Sequence, residues 1–248
     1  MENLVPSRSD GVWFPVHLIQ KTRGWDSISI CMLIHTLFAA ASLATLTNAH
    51  GYFVTPKARQ PGTAFQQSCG MQAFYQMSGD INGNVQGLQQ TTKGQSDYNP
   101  STCRLWKCKG MKYADNTANV QKYTPGQSVA MNFAIRAPHT GVANVSIIDI
   151  TTLDGTVIAP NLKSWSIYAS NSASIPDSEE NFSITMPTNL GSKCAQAGQC
   201  AIQMFWDARS IDQTYESCID FSMPAKAGKR EEERGHARDF TARSEIEG

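Results

Sequence analysis

Polar and apolar residues alternate with period two over 127–137 (QSVAMNFAIRA) and again over 142–150 (VANVSIIDI). Such alternation sends successive side chains to opposite faces of a strand, one toward a core and one toward solvent. Shorter β-rich runs follow at 182–187, 200–206 (CAIQMFW) and 218–223 (CIDFSM). Turn signals separate these runs: Pro125-Gly126, the stretch 138–141, Asp154-Gly155 and Leu190-Gly191. Short strands with regular punctuation predict an all-β chain, an immunoglobulin/fibronectin-like β-sandwich. Residues 51–124 have few strand-like runs and are rich in Gly, Gln, Asn and Ser. They are read as long disulfide-pinned loops over the sandwich, with a short helix near 71–77. Long ordered loops often carry function.

The ends of the chain read differently from this core. Residues 33–49 (LIHTLFAAASLATLTNA) are apolar, then small and polar, and end on Thr47-Asn48-Ala49. That is the form of a secretory signal with a small residue at its cleavage position. Its apolar run is shorter than the ~20 residues a membrane span needs. A signal peptide is therefore expected over 32–49 and a secreted, extracellular product beginning at His50. Residues 1–31 have no clear period and are read as an extension foreign to the mature protein or unstructured; the rival is a long signal n-region using Lys21 and Arg23. Residues 224–248 carry dense charge of both signs and too little apolar surface to fold alone, so a charged, disordered tail is expected. Between them, 50–223 has the length of one domain.

Charge narrows the partner. The chain has 21 Lys and Arg against 21 Asp and Glu, and the core balances at twelve against twelve by the same count. Nucleic acid and anionic membrane both favour a basic excess. A neutral polymer is the more natural partner, and a monomer is expected.

Seven cysteines occur, and six fall in the core: Cys69, Cys103, Cys108, Cys194, Cys200 and Cys218. An even set behind a signal sequence reads as three disulfides. Proximity favours Cys103–Cys108 and Cys194–Cys200, which leaves Cys69–Cys218. Zinc is the rival, although both close pairs are spaced more widely than usual zinc ligands. Asn144-Val-Ser146 and Asn181-Phe-Ser183 fit the N-glycosylation acceptor pattern. Both lie in or beside predicted strands.

Only two of the five histidines, His50 and His139, fall in the core. Cleavage after Ala49 would give His50 a free α-amine beside its imidazole. His139 sits in a predicted turn between two strands, a common place for functional groups. Two imidazoles and an amine make three nitrogens, a donor set suited to copper. The plain alternative is an ordinary terminus and an ordinary turn histidine.

These residues also carry a resemblance. The opening His50-Gly-Tyr-Phe-Val-Thr-Pro-Lys-Ala-Arg59 resembles the HG-x4-P-x2-R start of the chitin-binding type-4 (AA10-like) lytic polysaccharide monooxygenases. The closing Gln213-Thr-Tyr215-Glu-Ser-Cys218-Ile-Asp220 is similar to the Q-x-Y-x-x-C-I-N/D end of the fungal (AA9-like) members. The resemblance spans roughly 50–221. It implies a copper cofactor held by His50 and His139, with Tyr215 axial to the metal and Gln213 in the surrounding shell. It agrees with a bridge from Cys218 to an early cysteine. It further implies oxidative cleavage of glycosidic bonds in a polysaccharide, chitin or cellulose or another plant glucan, driven by an external electron donor. No hydrolytic role falls to Asp207, Asp212 or Glu216, because a glycosidase needs two carboxylates flanking the bond. Two rivals share the fold: a copper-binding protein without oxidative activity and a non-catalytic chitin-binding module. Tyr52, Phe53, Trp106, Trp165 and Trp206 are candidates for stacking on sugar, with core packing as the alternative.

Overall fold

The computed structural model describes residues 50–224; the expected extension (1–31), the signal segment (32–49) and residues 225–248 of the charged tail lie outside the described residues. Eight strands run in the order β1 (His50–Thr55), β2 (Gln121–Lys122), β3 (Ser128–Ala137), β4 (Gly141–Asp149), β5 (Thr156–Tyr168), β6 (Asn181–Thr185), β7 (Cys200–Ala208) and β8 (Gln213–Ser222). They form two sheets, β1-β3-β6 and β2-β8-β7-β4-β5. Every pairing is antiparallel except β2 with β8. This is the expected β-sandwich, with its main core between the inner faces of the two sheets.

The alternation that predicts β3 appears in its burial: Val129, Met131 and Phe133 point inward while Ser128 and Ala130 are exposed. Phe53 and Phe133 pack edge to face at 5.3 Å, Tyr168 meets Trp206 at 5.4 Å, and Trp206 meets Tyr215 at 4.6 Å. Aromatic pairs at such separations add to the area they bury. Phe53 and Trp206 are therefore core residues rather than sugar-stacking ones, and Tyr52 and Trp165 are half-buried. Trp106 keeps 46% of its surface.

Three strands, β1, β2 and β5, had no clear signal in the sequence. β5 is thirteen residues long, but it carries Pro160, which cannot donate to a ladder, and Asn161, whose φ is +54°. It lies at the edge of its sheet, where such interruptions are tolerated. β1 was hidden because its first residue abuts the signal segment.

Residues 51–124 correct the expectation of loops with one short helix. Four helices occur: α1 (Thr63–Cys69), α2 (Met71–Gly79), α3 (Val85–Thr92) and α4 (Pro100–Cys103). They bury Phe65, Ala73, Met77, Val85, Leu88 and Leu105 in a core of their own. Each is too short to hold without tertiary packing, and their Gln- and Gly-rich sequences blur the helical period. Asn84 caps α3 by accepting a hydrogen bond from the Gly87 N–H at 2.6 Å, a standard N-cap bond.

All six core cysteines form disulfides, but two expected pairings are corrected. Cys194–Cys200 is present as expected. Cys69 bonds Cys103, and Cys108 bonds Cys218; the expected Cys69–Cys218 and Cys103–Cys108 do not form. Cys69 and Cys103 belong to the helical core. Cys108 belongs to a separate cluster with Cys218, Ile148 and Ala201 on the five-stranded sheet. The four residues between Cys103 and Cys108 carry the chain from one cluster to the other, so proximity in sequence misleads.

The helical layer grips β8 at alternate positions. Thr214, Glu216, Cys218 and Asp220 share one face of the strand, since side chains alternate. Gln86 hydrogen-bonds Thr214, the Lys109 N–H donates to Glu216 at 3.0 Å, Cys108 bonds Cys218, and Arg59 pairs with Asp220. The opposite face sends Tyr215, Ile219 and Phe221 into the main core. Both faces are covered, which is why β8 is buried almost end to end. Among the described residues, no helix is long and apolar enough to cross a membrane.

Candidate metal centre

Strand register decides which residues can meet. β1 and β3 are antiparallel with His50 opposite Ala137. His139 lies two residues beyond Ala137, in the connection from β3 to β4. The two core histidines, separated by 88 intervening residues (139 − 50 − 1) in the sequence, thus come to one end of the sandwich. The neighbouring Gly51 packs against Phe133 so closely that an added Cβ would lie 2.4 Å from its ring. No larger residue fits there without displacing the ring.

The other two expected site residues reach the same end through β7 and β8. Gln213 pairs with Ala208, and Tyr215 with Trp206. The Trp206 indole N–H donates to the His139 carbonyl at 3.2 Å. One contact path therefore runs from His139 through Trp206 to the Tyr215 ring. The Tyr215 hydroxyl donates to Gln213 Oε1, so these two form a pair. The Asn84 side chain also hydrogen-bonds the Tyr215 hydroxyl, but burial outweighs it and pushes the phenol well above its ordinary range. Tyr215 is thus a neutral phenol at physiological pH.

The chemistry of these groups fits copper. Imidazole nitrogen is a preferred copper ligand, and a neutral phenol would be a weak one. Among the described residues, no group of three His, Cys, Asp or Glu side chains gathers to hold a metal. A site of two histidines and a terminal amine is not a group of that kind. Asp207 is held by Arg209 at 2.6 Å, and Glu216 faces Lys109 on the other side of β8.

The two sequence motifs meet physically. Arg59 closes the opening motif and Asp220 closes the final one. The guanidinium donates from Nε at 2.8 Å and Nη2 at 2.6 Å to the two carboxylate oxygens, and from Nη1 to the Met111 carbonyl at 2.8 Å. The Arg59 N–H also donates to the Cys218 carbonyl at 2.8 Å. Bidentate charge-assisted pairing of this kind is strong and directional.

Asn84, Gln86 and Lys109 were not singled out from sequence. The Asn84 cap has a local signal, an Asn just before an apolar residue that begins a helix. Gln86 and Lys109 have none, because their partners lie 128 and 107 residues away. Of the two acceptor asparagines, Asn181 is exposed and Asn144 is half-buried within β4.

Residues 50–221 match the family model described as lytic polysaccharide mono-oxygenase, cellulose-degrading. Among curated proteins no relative matches the chain. Among solved structures, a cellulose-active lytic polysaccharide monooxygenase in complex with copper is 15% identical, with 70% of this chain and 98% of that chain covered and a TM-score of 0.39. A Bacillus amyloliquefaciens CBM33 protein in complex with Cu(I) is 17% identical, covering 70% and 99%, with a TM-score of 0.37. An AA10 lytic polysaccharide monooxygenase from Streptomyces lividans has the same identity, coverage and TM-score. The family match extends from the histidine at the start of β1 to Phe221 near the end of β8, and on it the chain belongs to the lytic polysaccharide mono-oxygenase family.

Proposed function

We propose that residues 50–223 act as a secreted copper-dependent monooxygenase that cleaves glycosidic bonds in a polysaccharide surface, chitin or cellulose or another plant glucan. The observation that carries this reading is the register of β1 on β3, with the His50 backbone opposite Ala137, two residues before His139 in the connection to β4. The His50 amine, made by cleavage after Ala49, and the two imidazoles would hold the metal. Copper, when bound, supplies the redox chemistry that oxidises a sugar carbon beside the glycosidic bond.

The chain's own residues hold and shape that place. Trp206 fixes the main chain at His139 by its indole N–H. Tyr215, neutral and braced by Gln213 and Asn84, would stand beside the metal as a weak oxygen ligand. Gln213 keeps its amide N–H₂ free of the Tyr215 bond, which uses its carbonyl oxygen, and that amide is the group available to a polar reactant. An external reductant delivers electrons, and the balanced surface charge suits a neutral polymer.

The test uses the secreted protein with an authentic His50 terminus, confirmed by intact mass. Copper-loaded protein and a reductant are incubated with cellulose, chitin and other glucans, cellulose first because of the family description, and products are read by mass spectrometry. Oligosaccharides oxidised at C1 or C4 are expected from at least one substrate. His139→Ala should abolish them and weaken copper affinity at least 100-fold, while the melting temperature of the copper-free protein moves by only a few degrees. Tight copper binding without oxidised products from any substrate would favour a copper-handling protein; failure to bind copper would leave a carbohydrate-binding module.

A further inference from the structure

Thr214 lies between Gln213 and Tyr215, and its N–H faces away from β7, toward the helical layer. It is 4% exposed. A buried backbone N–H without a partner is costly, and no strand pairs with β8 at this position: β2 joins that edge only at Phe221 and Ser222. The partner is a side chain. Gln86 Oε1 accepts from the Thr214 N–H at 2.8 Å, and Gln86 Nε2 donates to Thr214 Oγ1 at 3.1 Å. One primary amide thus does the work of a neighbouring strand, fixing both the main chain and the side chain of a single residue.

Gln86 is itself held in place. It sits on the first turn of α3, which Asn84 caps. The turn before it is anchored by Lys109, whose buried ammonium donates to the Ile81 carbonyl at 2.6 Å and the Gly83 carbonyl at 3.1 Å. The backbone of Lys109 is tied to β8 through Glu216 and the adjacent disulfide. The helix start cannot slide along β8 without breaking those bonds.

We propose that Gln86 is a positioning residue for the metal centre: its two-point hold on Thr214 sets where Gln213 and Tyr215 stand. This rests on the reading given under Proposed function. Gln86 reaches the centre through its two bonds to Thr214. Its loss should disturb the metal's surroundings more than the stability of the fold.

The test compares Gln86→Leu, which loses both bonds, Thr214→Val, which loses only the hydroxyl bond, and Thr214→Ser, which keeps both. Each is made with the authentic His50 terminus and loaded with Cu(II). Electron paramagnetic resonance reads the metal's surroundings, and the Gln213 side-chain amide resonance of the copper-free protein reads the position of that residue without metal. The expected result is a shifted or split Cu(II) spectrum in Gln86→Leu, a smaller change in Thr214→Val and a wild-type spectrum in Thr214→Ser, with Gln213 resonances shifting in the same order. Wild-type spectra and resonances in both Gln86→Leu and Thr214→Val would overturn the proposal. If Gln86→Leu does not fold, Thr214→Val decides by the same criterion. A wild-type protein that binds no copper would overturn the proposed function; the Gln213 resonance then decides the positioning claim, and an unmoved resonance sinks it too.

Discussion

Arg59 and Asp220 are a buried ion pair whose partners come from the first and last motifs of the domain. Removing one partner of such a pair strands the other charge, at a cost of about 3–5 kcal/mol. Asp220→Ala should therefore lower unfolding free energy by that amount in a denaturant titration. Replacing both residues with apolar ones of similar volume should recover much of the loss. Glu216 presents a different case. Burial pushes its carboxyl up to about 7, with the Lys109 and Cys108 N–H groups opposing the rise. A folded-state value above the unfolded one means the folded protein binds the extra proton between pH 4.5 and 7. The associated stability is complete below the unfolded value and is lost as pH rises through the folded value. In the copper-free protein, Glu216→Gln should match wild type near pH 4 and become the more stable of the two by pH 8. A melting-temperature difference that does not grow with pH would contradict this. Lys109 works in the opposite sense at higher pH: burial lowers its amine to about 8, so its penalty is relieved only as pH rises from there toward 10.5.

Strands decide which acceptor asparagine a glycosyltransferase can use. Asn181 begins β6 with an exposed side chain, bonded to Asp177 at 2.6 Å and to Asn132 at 2.7 Å in contacts open to solvent. Asn144 lies inside β4, between β5 and β7, and its Oδ1 accepts from the buried Ser146 hydroxyl at 2.9 Å. Peptide mapping after enzymatic deglycosylation should find Asn181 modified and Asn144 bare in protein expressed through a eukaryotic secretory pathway. The same contrast explains what the sequence revealed. β3 and β4 were legible because one side of the alternation meets water. β8 was legible only from Cys218 onward, because its outward residues are polar yet buried, each satisfied by a residue at least 107 positions away. β5 was masked by Pro160 and Asn161. The four helices were masked by polar composition, and their core became visible only once Cys69 and Cys103 were seen to join them. The candidate site was legible where it depended on residue type and order (His50, His139, Gln213, Tyr215). It was not legible where it depended on the packing of Trp206, Asn84 and Gln86.

Across the molecule, three disulfides bind different scales of structure. Cys108–Cys218 spans 110 residues, Cys69–Cys103 spans 34 and Cys194–Cys200 spans six. In the chain-entropy account their loss should cost about 5, 4 and 2 kcal/mol respectively. Paired Cys→Ala variants measured by denaturant titration should follow that order, with the helical layer losing protection from hydrogen exchange first when Cys108–Cys218 is absent. Of the expected bridges only the short Cys194–Cys200 forms, yet the long link, Cys108–Cys218, still runs from the early half of the domain to its last strand.

The hold on β1 has a consequence for maturation. The Phe53 N–H bonds Ser217 at 3.0 Å, Phe53 fills the core, and Arg59 locks onto β8. All of these anchors lie downstream of His50. A product trimmed one residue early has every one of them and should fold and melt like the finished protein in the absence of metal. It would carry its free amine on Ala49 rather than on His50. On the proposed reading, conformational quality and metal readiness would be separate properties, and peptide-bond cleavage after Ala49 would act as a latch that leaves the scaffold unchanged while arming the centre.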